Sequence, residues 1–448
     1  MSKQIPGERK GSLNKEVLDF LTKANEYEFP DIKMFIHTEN EDIEILYPVL
    51  LHFNKNYNSN VSDMVFVEFF FPTGDFINKI VKNNDKLEFT ITIKQDNRII
   101  LDKRYKFFLI NKLPDEDTGL YDLDPELLNK QDLHVVKGQC VDPLSLVLKS
   151  LYLKGSVYHK YNMEELLKKV LTYYLSNVTI FNSNLNFTLN ITPPDNNTKY
   201  NNIIIKDFIK LVQLPHYLQY DLYGIYSDGI GFYFKSKNRR YDFYIYPLYT
   251  DKKFSSDVRL PKFILYNPEE HLLGLNSKTA YYDKKNLTYK YVVNDVATID
   301  DLYKERYEVG TKIVSKNPFS VISDLGNRKS YYGIEDDKIT YIGPNNPSSI
   351  YYNSRSYAYD KPIYSGFDYN IYKYTSNLSK YYSKLYRVDT FSLNPEIFIP
   401  GMSIKYIYKN NGSVMAKTGI IQQVNSVYYF DRKQTTTSFV FNIREREN

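Results

Sequence analysis

Residues 87–93 alternate one for one: Leu87, Phe89, Ile91 and Ile93 are apolar, and Glu88, Thr90 and Thr92 stand between them. A period of two sends successive side chains to opposite faces of a pleated strand, so this stretch predicts a β-strand with one buried and one wet face. The same grammar runs through residues 31–112. It is seen in Met34 and Ile36, in Ile43, Ile45 and Tyr47, in Met64-Val65-Phe66-Val67-Glu68-Phe69-Phe70-Phe71, and in a returning strand over 99–110 after a turn at Asp96-Asn97. It returns over 386–442, with strands at 397–399, 403–408, 419–429 and 438–443 and turns at Pro400-Gly401 and Asn410-Asn411-Gly412. Within the first region, Asp75-Phe76-Ile77-Asn78-Lys79-Ile80-Val81-Lys82 predicts a helical turn capped by Asp75. One short helix among such strands suits a small antiparallel barrel better than a sandwich.

Between these regions the period changes to that of helices. Asp142 is placed to cap and Pro143 to occupy the first turn of a helix carrying Leu144, Val147, Leu148 and Leu151 and ending by Gly155. Asn162 and Glu165 form a capping box ahead of Met163, Leu166, Leu167, Val170, Leu171 and Tyr174, which share one helical face. A strand at 187–191, a third helix at 204–212 stopped by Pro215, a hairpin over 223–234 turning at Asp228-Gly229, and a strand at 241–246 follow. The predicted fold class is therefore α+β, mainly β, with two small antiparallel β-barrels flanking an α+β middle domain.

The expected domains are an N-terminal arm, 1–30, with a short helix at 14–24 capped by Asn14 and carrying Val17, Leu18 and Leu21; a first barrel, 31–115; and a linker, 116–140. The α+β domain spans 141–250, strands at 251–294 complete the second barrel, 295–375 is a loop-rich insertion, and 376–448 is the second barrel itself. Two barrels around an insert are compatible with a diverged duplication. The acidic run at 114–126 reads as a solvated loop, because Asp115, Asp117 and Asp122 lack the ligand spacing of an EF-hand.

Length and composition bound the function. A chain of 448 residues splits into several domains, and 42% hydrophobic with 25% charged residues is the balance of a globular protein with a real core. The net charge of +5 is spread over interspersed Lys, Arg, Asp and Glu, without the basic clustering of a duplex reader. Residues 2–15 lack the apolar centre of a signal peptide, and no stretch offers an uninterrupted apolar membrane span. The single Cys140 excludes an internal disulfide framework and predicts a buried small hydrophobe. The 45 Tyr and 27 Phe with no Trp fit an AT-rich coding bias or a Tyr-lined sugar or partner surface. Phosphate-loop, His-Glu-x-x-His and nucleophile-elbow signatures are absent, and the six histidines, His37, His52, His134, His159, His216 and His271, show no metal-ligand spacing. Gly224, Gly229 and Gly231 read as hairpin glycines, since a nucleotide fingerprint needs a following helix.

Several motifs then fall in a characteristic order. After the helix at 162–175 come Pro193-Pro194-Asp195-Asn196, Tyr200, Ile203-Ile204-Ile205 and Tyr217-Leu218. Next stand Tyr223-Gly224-x-Tyr226-x-x-Gly229-x-x-Phe232-Tyr233-Phe234 and Tyr244-Ile245-Tyr246-Pro247. Upstream lies Asp75-Phe76-Ile77-Asn78-Lys79-Ile80 before Asp85-Lys86-Leu87, and downstream Ile399-Pro400-Gly401-Met402-Ser403-Ile404 before Gly419-Ile420-Ile421. From about residue 31 onward the chain resembles the baseplate hub proteins of contractile-tailed bacteriophages, with residues 295–374 matching no part of them.

The resemblance implies tube-type barrels in a structural virion protein, a homotrimer whose two barrels per subunit form a pseudo-sixfold ring joining the sixfold tail tube to the threefold central spike. It implies as partners further copies of the chain, the spike protein, the tail tube protein, and the baseplate wedge and tape measure proteins, with DNA only in passage through the lumen. It implies a protein made in the host cytoplasm and placed in the virion tail baseplate, with no membrane anchor, catalytic residue, metal or cofactor. Pro193, Pro194, Asp195, Asn196, Tyr223, Gly224, Tyr226, Gly229, Pro400 and Gly401 are its structural motif residues. The alternative is a receptor- or carbohydrate-binding tail protein whose Tyr-rich loops between 330 and 382 stack on ligand. A cell-wall hydrolase, marked by two facing buried carboxylates, is a weaker rival.

Overall fold

The alternating segment at the start of the chain builds a first lobe of seven strands: β1 (Asp31–His37), β2 (Asp42–Glu44), β3 (Tyr47–Asn56), β4 (Met64–Pro72), β5 (Glu88–Gln95), β6 (Arg98–Leu109) and β7 (Leu133–Val141). The computed structural model describes residues 29–95, 98–110, 133–181, 183–237, 240–249, 262–266, 280–283, 288–293, 296–299, 311–315, 321–324, 329–332, 340–342, 355–359, 383–390, 393, 395–410 and 413–444, with Tyr372, Ser376 and Ser379. The helix expected at 14–24 and the acidic run at 114–126 lie outside these residues.

The lobe's strands pair in the order β3-β4-β7-β6-β5-β1-β2, every ladder antiparallel. Phe89, Ile91 and Ile93 point inward as their period requires, joining Met34, Ile36, Phe53, Val67, Phe69 and Phe107 in one core. Two details differ from the sequence expectation. Leu133–Val141, assigned there to a linker as far as residue 140, is a central strand. Its Gly138 breaks the apolar pattern because a Cβ would sit 2.1 Å from the Phe107 ring. The crossing from β4 to β5 is a chain of short turns, Thr73–Asp75, Phe76–Ile80 and Val81–Lys86, and Asp75 pairs with Lys79 at 3.8 Å instead of capping. Phe76 and Ile80 bury themselves in the lobe.

In the middle region α1 (Pro143–Ser150) starts as expected, with Asp142 accepting from the Leu144 amide at 2.8 Å, but it stops before Gly155. β8 (Ser156–Tyr161) leads to α2 (Met163–Leu175), where both halves of the capping box are made: the Glu165 amide donates to Asn162 at 2.8 Å and the Asn162 amide to Glu165 at 3.2 Å. β9 (Thr179–Ile180), β10 (Ser183–Asn184), β11 (Asn186–Ile191) and β12 (Tyr200–Ile205) follow, then α3 (Leu214–Tyr220), β13 (Ile230–Lys237) and β14 (Arg240–Pro247). The helix expected at 204–212 is not formed. Its β-branched Ile203, Ile204 and Ile205 extend as β12 against β8, and Pro215 opens α3, where its missing amide costs nothing. The hairpin pairs Ile230 with Pro247 through Lys237 with Arg240, so Asp228-Gly229 precedes the first strand and does not form the turn.

β13 and β14 are buried on both faces. Phe232, Phe234, Phe243 and Ile245 pack with α2 in the middle core, while Tyr233 and Tyr246 face the core of the second lobe. That lobe contains β15 (Lys262–Tyr266), β16 (Ala280–Asp283), β17 (Thr288–Val292) and β18 (Ala297–Ile299). The insertion expected to be loop-rich carries β19 (Thr311–Ser315), β20 (Val321–Asp324), β21 (Lys329–Tyr332), β22 (Thr340–Ile342) and β23 (Arg355–Tyr359), in two small sheets. β24 (Ser383–Thr390), β25 (Ser403–Asn410), β26 (Ser413–Tyr429) and β27 (Gln434–Arg444) complete the chain. The strand expected at 397–399 is instead a 3₁₀ turn, Pro395–Ile397, running into the Pro400-Gly401 turn. There Gly401 has φ 73° and Met402 donates to the Ile399 carbonyl at 3.1 Å.

β26 decides the architecture. Its first half pairs with β25; past an irregularity between Ile421 and Gln423 it pairs with β3 of the first lobe, keeping β27 on its other side. Both lobes therefore belong to one 15-stranded sheet, and among the described residues no closed barrel is found. The class, mainly β with an α+β middle, is as expected.

Candidate functional site

Asp195, Asn196, Tyr223, Gly224, Tyr226 and Gly229 of the middle-region motif converge on one polar knot. The amides of Asp195 and Asn196 both donate to the Ile225 carbonyl, at 3.0 and 3.1 Å, and the Asn196 side-chain amide donates to the carbonyls of Gly224 and Tyr223 and to the Tyr200 hydroxyl at 2.8, 3.3 and 3.0 Å. Asp195 accepts from the Ser227 amide at 2.8 Å. Tyr200 and Tyr223 stack with ring centres 3.8 Å apart. Gly224 and Gly229, at φ 78° and 76°, turn the chain where an L side chain would be strained. The Tyr226 hydroxyl donates to the Thr192 carbonyl at 2.6 Å, and burial pushes it well above the usual phenol range, so it stays a neutral donor.

Gln219, which the sequence reading passed over, is the centre of the knot. Its side chain is buried, accepts from the Ile225 and Tyr226 amides at 2.8 and 3.0 Å, and donates to the Tyr226 carbonyl at 2.7 Å and to Ser376 at 3.0 Å. Ser376 also accepts from the Gly229 amide at 3.0 Å, and Ser379 donates to Asp228 at 2.5 Å. The knot thus fastens Ser376 and Ser379, just past the insertion, to the middle domain. Pro400 and Gly401 do not join it and lie at the entrance to β25. A glutamine inside a helix carries no sequence signal for this role.

A second cluster joins all three regions. Lys55 of β3 is buried and contacts Glu396 of the 3₁₀ turn; Lys235 of β13 reaches the same carboxylate at 3.7 Å and donates to the Phe398 carbonyl at 3.0 Å. The Tyr233 hydroxyl donates to Asp63 at 2.7 Å, and Tyr246 to the Tyr57 carbonyl at 3.0 Å. Burial alone would raise the Glu396 carboxyl, but Lys55, Lys235 and Lys103 outweigh it and hold the group at about 2. Burial would likewise discharge Lys55; Glu396 and Asp63 keep it charged by raising its pKa. Between the first lobe and the middle domain, Lys103 of β6 meets Asp142 at 2.7 Å, and both are buried. The residue read as a helix cap is thus also a buried counter-ion. At the bulge of β26, the Gln422 carbonyl accepts from Tyr57 at 2.8 Å while its side chain donates to Leu248 at 2.7 Å.

These contacts cross-link three cores with directional, desolvated bonds, each expensive to break singly. Beside them a cleft of about 650 Å³ separates the first lobe from the middle domain, bridged by the Arg104 guanidinium over the Phe181 ring at 5.3 Å. Burial pushes the Cys140 thiol well up, in keeping with the hydrophobe expected there. Among the described residues no cluster of three or more His, Cys, Asp or Glu is placed to hold a metal ion, and no helix is long and apolar enough to cross a membrane.

No protein-family model matches the chain, and no curated protein matches it. Solved structures of tail proteins match it along nearly its whole length. A prophage MuSo2 43 kDa tail protein from Shewanella oneidensis covers 92% of this chain and 98% of its own at 7% identity, with a TM-score of 0.47. A tail protein from Neisseria meningitidis covers 92% and 96% at 9% identity, with a TM-score of 0.46. An Escherichia coli type VI secretion system component, described as similar to the phage T4 tail proteins gp27 and gp5, covers 92% and 77% at 9% identity, with a TM-score of 0.42.

Proposed function

We propose that the chain is a non-catalytic structural subunit of a phage tail baseplate, a hub that forms a homotrimeric ring joining the tail tube to the central spike of a contractile tail. The observation that carries this reading is a strand circuit that occurs twice. In the first lobe β2 passes through Ile45 and Leu46 into β3, and β1 pairs with both β2 and β5, so the path β2/β3-β4-β7-β6-β5-β1 returns to its start. In the second lobe the ladders run in the same order, β18-β24-β27-β26-β25-β15-β17, with β17 and β18 consecutive in the chain. The strands correspond in chain order, one for one. One differs in direction: β15 runs parallel to its two neighbours where β1 is antiparallel.

We read each circuit as a tube-type barrel, the first drawing on strands from β1 to β7 and so absorbing the end of the expected linker. Two quasi-equivalent barrels per chain supply six ring positions from three copies, which is what a junction between sixfold and threefold partners needs. The charged and polar cross-links between the cores give such a part its stiffness. The motif residues at 193–196 and 223–229 act in this reading by fixing the middle domain, and tube, spike, wedge and tape measure proteins are its partners in the virion.

The test is the mass and shape of the purified full chain. Three copies, imaged as a ring with six similar densities around an open axis, are expected. A stable monomer that binds saccharide would replace this reading with the receptor-binding one.

A further inference from the structure

Two phenylalanines of the middle domain sit at positive φ, Phe181 at 50° and Phe208 at 64°, a conformation that costs energy for any residue with a bulky side chain. For Phe181 the chain itself holds the compensation, the contact with Arg104. Phe208 has none among the described residues: it is 82% exposed and makes no ring or cation contact. Around it, Ile204 pairs across strands with Val157, and Tyr152 bridges to Lys210; Ile204, Val157 and Tyr152 are all more than half exposed. The rim is basic, with Lys149, Lys154 and Lys206 exposed, while the carboxylate of Asp207 is engaged by the Gly155 amide at 2.5 Å. A strained aromatic standing out of an apolar patch within a charged rim has the make-up of an interface anchor.

The complementary surface lies on the same chain. At the opening of β3, Leu46 is 70% exposed, and Tyr47 pairs across strands with Phe70, both exposed as well. The segment leading to them carries four exposed carboxylates, Glu39, Glu41, Asp42 and Glu44, with no Lys or Arg between 34 and 54. Lys86, Lys79 and His37 reach back to Glu39, Glu41 and Asp42 and soften the field without reversing it. We infer that the Phe208 patch of one copy docks on the Leu46-Tyr47-Phe70 surface of another, lysines against carboxylates. The two surfaces are different parts of the chain, so the contact is head-to-tail, the kind that propagates around a closed assembly. This rests on the ring reading above and names one of its contacts.

The experiment uses mass photometry of the full chain, with circular dichroism as the check on folding. Phe208→Ser is expected to weaken self-association at least tenfold with an unchanged spectrum. Lys154→Glu with Lys206→Glu, or Glu39→Lys with Glu44→Lys, is expected to weaken it likewise, and all four together to restore it, because every copy then carries both reversed faces. If the wild type assembles and Phe208→Ser changes nothing, or the fourfold variant is not restored, this contact is wrong and the ring stands. If the wild type is monomeric at every concentration, the ring reading fails as well. Binding of the wild type, but not of Phe208→Ser, to vesicles of anionic phospholipid would assign the patch to a membrane and overturn the inference.

Discussion

The two lobes run the same strand circuit with different fastenings. In the first, the crossing from β4 to β5 is a run of helical turns that buries Phe76 and Ile80; at the same point of the second, the described residues hold a 3₁₀ turn whose Glu396 faces the junction. The first lobe is tied to the middle domain by the buried Lys103 and Asp142, the second by a carboxylate that remains 27% exposed. The outer faces diverge further. On matching strands, β4 of the first lobe presents Phe70 to the outside, whereas β24 of the second presents Lys384, Arg387 and Asp389. Inward alternation is what the circuit requires, so it is kept in both; outward residues answer to whatever each lobe touches, so they differ.

That contrast can be broken first at Asp142. Asp142→Ala leaves Lys103 buried without a counter-ion and removes the cap of α1, and is expected to cost about 5 kcal/mol in urea unfolding. A loss under ~1 kcal/mol would mean that the two lobes are tethered alike. Next come two glycines on matching strand pairs. At Gly419 a Cβ would lie 1.8 Å from the Asn442 carbonyl oxygen, which is backbone, while at Gly138 it would meet the Phe107 ring, which can turn. Gly419→Ala is therefore expected to cost about 3 kcal/mol and Gly138→Ala about 1 kcal/mol by the same measurement; equal costs would show that the second lobe is no more rigid at this pair.

Acid probes the Glu396 junction. Its carboxyl titrates at about 2 in the fold against 4.5 ordinarily, so its contribution is complete above pH ~4.5 and is lost as pH falls toward 2. The loss is expected to reach about 2–3 kcal/mol, and Glu396→Gln should flatten that part of the stability curve. Smallest is Tyr105→Phe in the first lobe: the hydroxyl is buried with no hydrogen-bond partner, so removing it should change stability by less than ~1 kcal/mol. A larger loss would tie Tyr105 to the charge cluster around Asp142.

Much of the fold was legible in the residues because it is written in local periods. The alternation in β5, the capping box of Asn162 and Glu165, and the cap at Asp142 each depend on residues within a turn or a strand of one another, so their signals sit side by side in the chain. Where the reading failed, a neighbour in space overrode the local signal. Ile203-Ile204-Ile205 extends because β8 offers an edge, and Leu133–Val141 is a strand because it fills the gap between β4 and β6. The motif residues at 193–196 and 223–229 were singled out, yet Gln219, which binds the backbone of Ile225 and Tyr226, was not.

What the sequence determined by itself was the secondary-structure period, the inward faces, and the division into two strand-rich ends around a helical middle. The tertiary structure alone decided that β26 leaves β25 for β3, and that Lys55 meets Glu396 across 341 positions. The reason is physical: ladder bonds are made by backbone groups that every residue carries alike, and a buried charge announces its sign but not its partner. Both choices are settled only when the cores pack and exclude water.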